Sequence, residues 1–176
     1  MPRFPPNPDH ARRLLVALGA PSRLIRHGEL VEEAAEALCR GFSALQVPVD
    51  AAFVHLGAVL HDAGKIRHPS ELTGPGSAHE AAGQRMLLEH GVDADLARTC
   101  VSHARWADLP VSLDELVVAL ADKLWKGVRV ADLEERVIDA AAHALGKTRW
   151  DVFVGLDDLF ERVAAGGGQR LERSAR

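Results

Sequence analysis

From Leu24 to Phe42 the chain sets small or apolar residues at steps of three and four: Leu24, Gly28, Val31, Ala35, Leu38 and Phe42. That spacing places them on one stripe of an α-helix that must be covered by the rest of the fold. Similar periodicity returns along most of the sequence, and no stretch alternates as a convincing strand. Helices are predicted from about Asp9 to Leu18, from Pro21-Ser22 to about Leu45, and from Val49 to about His61, with Gly64 as a C-terminal stop. Arg67 to Gly76 holds Pro69, Gly74, Pro75 and Gly76 and reads as a loop. Ser77-Ala-His79-Glu80 and Ser112-Leu-Asp-Glu115 each match a capping box, Ser at the N-cap and Glu three residues on. The helix opened by the first ends at His90-Gly91, and the next begins at Asp93 or Asp95. The helix from Ser112 to about Trp125 is apolar nearly all round and is therefore expected at the centre. Leu133–Leu145 and Asp151–Val163 fit two more. The expected fold class is all-α, one helical domain over residues 9–164. An irregular proline-rich segment precedes it at 1–8, and a flexible tail with Gly166-Gly-Gly168 follows at 165–176.

Composition narrows the function. At 176 residues, 47% of them apolar, the chain is long enough to bury a core and too apolar to be disordered. A net charge of −4 argues against a protein that coats bulk nucleic acid. No apolar run approaches the roughly 20 residues that span a bilayer, and the first residues lack a signal-peptide core. Only two cysteines occur, Cys39 and Cys100, which rules out a thiolate zinc site and fits a reducing cytoplasm. Nine histidines without one tyrosine direct attention to imidazole chemistry.

Six of the polar residues share a pattern. His27 lies within the Leu24–Val31 stripe. His61-Asp62 ends a strongly apolar segment, with His61 four residues after Gly57 and eight after Phe53. His103 follows Leu96 and Cys100 on their face. Asp122 stands between Leu120 and Leu124 in the most apolar helix. A lone buried carboxylate costs several kcal/mol unless paired or bound to a cation. Lys123 adjoins Asp122 but is not expected to face it, since neighbours on a helix diverge. His79 falls in the first turn of its helix, where the dipole disfavours imidazolium and favours a neutral, ligating ring. Any one histidine taken alone reads as a core or surface residue. Several inward polar groups in one small core call for a common explanation. Imidazoles and carboxylates without thiolate suit Fe, Mn, Co, Zn or Ni, and six such groups fit two ions better than one. His10, His55, His68, His90 and His143 are assigned to surface or structural roles, His68 lying in the loop beyond the site. Trp106 and Trp125 are either core residues or platforms for a base.

The pattern His27 … His61-Asp62 … Asp122 resembles the HD-domain superfamily of metal-dependent phosphohydrolases. The local contexts are Leu60-His-Asp-Ala-Gly-Lys65 and Ala119-Leu-Ala-Asp-Lys123, and His79 and His103 match the extra histidines of binuclear members. The resemblance spans about Ser22 to Arg129. It implies a helical domain with metals between helices, one ion on His27, His61, Asp62 and Asp122, and a second on Asp62, His79 and His103. It further implies hydrolysis of a small phosphate ester or anhydride, a nucleotide foremost, by a metal-activated hydroxide, with Asp62 and Lys65 in catalytic roles. Lys123, Lys126 and Arg129 form a basic run of which one can meet an anionic substrate. The cyclic-dinucleotide phosphodiesterases of the superfamily carry a GYP motif, which a chain without tyrosine lacks. Some HD-fold proteins use the same ligand set for a mixed-valence di-iron oxygenase, and the ligands alone leave that alternative open. Partners are expected to be a small phosphate substrate, with no bulk nucleic acid and no membrane. The oligomeric state is open, a homodimer included.

Overall fold

The computed structural model describes residues 4–175, and within them every regular element is helical. In order these are α1 (Pro8–Ala17), α2 (Ser22–Ala44), α3 (Ala51–Leu60), two 3-10 turns (Ala63–Ile66 and Pro69–Leu72), α4 (Ala78–Glu89), α5 (Ala94–Arg105), α6 (Leu113–Leu124), α7 (Ala131–Leu145), α8 (Arg149–Ala165) and α9 (Gly167–Ser174). None of these helices is long and apolar enough to cross a membrane. Part of the N-terminal segment expected at 1–8 lies outside the described residues, and Pro8 already begins α1.

The starts of several helices follow directly from side-chain chemistry. Asn7 and Asp50 accept backbone N–H bonds from His10 and Phe53, and Ser112 with Glu115 makes the expected capping box. Thr148 and Asp151 form a second box that starts α8 two residues before the predicted point. As its sequence implies, α6 is central, with Leu116 to Asp122 buried without interruption and packing against α2, α3, α5 and α7. Leu38, Phe42, Leu56, Leu60, Leu120 and Phe160 lie in the one continuous core around it.

Three expectations are corrected. Ser77 makes no side-chain cap at α4; the carboxylate of Glu71, folded back from the second 3-10 turn, accepts from the backbone N–H of Ala78 (3.2 Å) and His79 (3.0 Å) instead. Glu80 is thereby released from the capping role the sequence suggested. Gly64 does not stop α3 in a left-handed turn; it lies within the 3-10 turn Ala63–Ile66, pressed onto α4. A Cβ there would sit 1.8 Å from the His79 carbonyl oxygen and 2.6 Å from the Gly83 nitrogen, so only glycine allows the approach. The segment read as a loose tail carries α9. Its Arg170 is buried and donates to the carbonyls of Trp125 (2.7 Å) and Leu124 (3.0 Å) at the end of α6, and Arg173 grips Glu33 through two 2.8 Å contacts.

The contact at Gly64 predicts the cost of its loss. Gly64→Ala meets the backbone of α4 at two residues and is expected to destabilise the protein by about 1–3 kcal/mol, the range for overpacking a tight core. Urea denaturation measures this, and an unchanged midpoint would show that the turn can move away from α4.

Candidate metal centre

The six polar residues singled out in the sequence come from five places along the chain and meet at one point. His27 comes from α2, His61 and Asp62 from the end of α3, His79 from the first turn of α4, His103 from α5 and Asp122 from the last turn of α6. All but His27 are buried. His27 Nε2 lies 3.2 Å from His61 Nε2, 3.1 Å from Asp62 Oδ2 and 3.7 Å from Asp122 Oδ1. His61 Nε2 is 3.5 Å from Asp62 Oδ2 and 3.4 Å from Asp122 Oδ1. On the other carboxylate oxygen, Asp62 Oδ1 stands 3.3 Å from His79 Nε2 and 3.7 Å from His103 Nε2. Asp62 therefore faces two groups of imidazoles, one with each oxygen.

The outward ring nitrogens explain why the inward ones are bare. His61 Nδ1 donates to the Ala58 carbonyl and His103 Nδ1 to the Thr99 carbonyl, both at 2.9 Å. His79 Nδ1 donates to Glu71 Oε2 at 2.5 Å. A neutral imidazole that gives its one proton outward turns a lone pair inward. The centre thus gathers imidazole lone pairs around acceptor carboxylates. His79 Nε2 is buried and makes no hydrogen bond, its approach to Asp62 lacking hydrogen-bond geometry. One proton can join His27 and His61, but protons on both would set two N–H groups against each other at 3.2 Å. Ligand atoms about 2.0–2.2 Å from one ion are about 2.8–3.6 Å apart at tetrahedral or right angles, and the separations here run from 3.1 to 3.7 Å. The donor set and its spacing fit divalent metal ions.

Charge at the centre is arranged by burial, by the centre's own imidazoles and carboxylates, and by Glu71, Lys65 and Lys123 at its edge. Burial pushes the Asp62 carboxyl up, but the imidazoles of His61, His27 and His79 outweigh it and hold it well below the usual range. Asp122 is likewise opposed by burial and carried well below by His61 and Lys123. Burial, reinforced by His61, drives His103 down to about 4 and keeps it neutral. Asp62, against burial and with help from Glu71, raises His79, so its place at a helix N-terminus does not by itself keep the ring neutral. Lys65 Nζ donates to Asp62 Oδ2 at 2.6 Å. Lys123 Nζ donates to Asp122 Oδ2 at 2.9 Å, contrary to the expectation that the adjacent lysine could not reach. Its long stem bends back where a short side chain would diverge. Asp122 is accordingly not a charge without a partner, and the case for a cation rests on the unpartnered Nε2 of His79 and on the convergence of the four imidazoles with two carboxylates.

A model of the HD domain matches residues 24–127, more than half of the chain and all six residues of the centre. The chain belongs to the HD domain family. HD domains bind divalent metals and are mostly metal-dependent phosphohydrolases, which places the protein among metal-dependent hydrolases at the level of the superfamily. Searches of curated proteins and of solved structures returned no match.

Within this HD domain, Glu71 is the residue that sequence reasoning missed. Its contact with His79 depends on the fold-back of a loop, and Gly76 makes room for it, since a Cβ there would fall 2.4 Å from Glu71 Oε1. Trp125 lines the cavity beside the centre, edge-on to His27 with centroids 5.2 Å apart, whereas Trp106 packs under Arg136 outside that cavity. His68 is not among the lining residues.

Partners that fix a ligating histidine are worth about 10–100-fold in metal affinity. Glu71→Gln is therefore expected to weaken metal binding through His79 by about that factor, read by equilibrium dialysis with metal analysis. Affinity equal to that of the unsubstituted protein would show that Glu71 serves the helix end alone.

Proposed function

We propose that this HD domain is a phosphohydrolase that acts on a small phosphate ester or anhydride, with a nucleotide as the leading substrate. The observation that carries the reading is the set of four imidazole Nε2 atoms divided between the two oxygens of Asp62. His27, His61, Asp62 and Asp122 would hold one ion, and Asp62, His79 and His103 a second. Such ions neutralise phosphoryl charge and lower the pKa of water from 15.7 toward about 7.

The chain's own residues supply the rest. Ala58 and Thr99 carbonyls and the Glu71 carboxylate lock three imidazoles in the tautomer that faces inward. Lys65 lines the cavity that opens on His27 and Asp62; its ammonium steadies Asp62 and offers a positive charge to a phosphoryl oxygen. Lys123 steadies Asp122 in the same manner. Trp125 gives that cavity an aromatic wall suited to a base.

Protein purified without added metal and then loaded with Mn, Co, Mg or Fe is expected to release phosphate from members of a phosphoester panel. Asp62→Asn and His61→Ala should abolish turnover. Oxygen consumption by iron-loaded protein, with no phosphate released from any ester, would replace this reading with the oxygenase one. His79→Ala should empty chiefly the second position; equal loss of both ions would show that the ligands are divided otherwise. Because holding ions favours the folded state, a chelator is expected to lower the melting temperature and added metal to restore it. A melting temperature indifferent to both would oppose a metal-holding centre.

A further inference from the structure

The cavity beside the centre, about 240 Å³, is walled by more positive charge than the centre itself uses. His27, Asp62 and Lys65 lie at its inner end, and Arg23, Arg26 and Lys126 contribute three further cations, on a chain whose net charge is −4. Arg26 is engaged: Nη1 meets Glu29 at 3.1 Å, and Nε donates to the Arg173 carbonyl at 3.3 Å. Arg23 and Lys126 have no ion-pair partner among the described residues. One stands at the start of α2 and the other just past the end of α6, so two unpaired like charges share one small cavity. An anionic ligand between them would pair with both.

The same place is built by α9, which lies outside the region matched by the family model. Ser174 lines the cavity, and α9 is held there by the Arg173–Glu33 pair and by Arg170 at the end of α6. Arg170 bonds the carbonyls of Leu124 and Trp125, immediately before Lys126. Arg23, Arg26 and Ser174 also border a wider outer groove with the apolar side chains Val16 and Ile25. These residues therefore form the divide between an inner polar cavity and an outer, partly apolar one.

Resting on the phosphohydrolase reading, we propose that Arg23 and Lys126 form a second anion subsite, so that the substrate is an organic phosphate with a further anionic group beyond the reacting phosphoryl. The inner cavity takes the reacting group, Arg23 and Lys126 take the second anion, and the outer groove takes the organic remainder.

Calorimetric titration of the metal-loaded protein with methylenediphosphonate and with methylphosphonate tests this without requiring turnover. The diphosphonate is expected to bind about tenfold or more tightly than the monophosphonate. Arg23→Ala and Lys126→Ala should each cut that preference about fivefold, the scale of one exposed charge contact. Both side chains are exposed, so their removal leaves the core intact. Equal affinity for the two ligands, or a preference unchanged in both variants, would overturn the subsite. Failure of the phosphoester panel would instead remove the hydrolase reading, while this binding ratio would still report on the subsite.

Discussion

A carboxylate withdrawn from water costs several kcal/mol unless charge and hydrogen bonds surround it, and Asp62 is buried among such groups, with one edge on the cavity. Each of its oxygens faces two imidazoles, and Lys65 meets one of them at 2.6 Å. Three of those imidazoles, on His61, His79 and His103, are in turn oriented by acceptors behind them. Remove any outer acceptor and a ring is free to turn; remove Asp62 and the imidazoles face one another. The fold serves this enclosure. It brings α2, α3, α4, α5 and α6 close enough for short side chains to meet, and Gly64 lets the turn after Asp62 lie directly on the backbone of α4.

Chemistry at such a centre would depend on what surrounds it as much as on the ligands. Lys65, Arg23, Arg26 and Lys126 make the adjoining cavity cationic in an acidic protein. The helix that closes this cavity comes from the C-terminal part of the chain, beyond the family match. The HD core is thus bordered by a wall from outside the family match, and selectivity among substrates is the property that such a wall would govern.

Periodicity carried much of this into view. The stripe through Leu24, Gly28 and Val31 fixes the inward face of α2 and with it His27, and the unbroken apolar run of α6 fixes Asp122. His61-Asp62 and His103 are readable for the same reason, because a helical face is a local property of sequence. Glu71 is not readable, since its role depends on a loop turning back over eight residues to reach His79. Lys123 departs from the helical expectation because side-chain directions diverge between neighbours while a long side chain can curl back. The glycines near the C-terminus resemble a breaker, yet Gly167 packs on Gly127 and Arg170 finds the carbonyls of α6. That docking is tertiary and leaves no periodic trace.

Whether cations or protons satisfy the inward imidazoles is the central question, and anomalous diffraction at a metal absorption edge answers it most directly. Crystals of protein prepared without chelator should show two peaks, one between Asp62, His27, His61 and Asp122 and one between Asp62, His79 and His103. Absence of any peak among these six side chains, with metal supplied in excess, would contradict a metal centre.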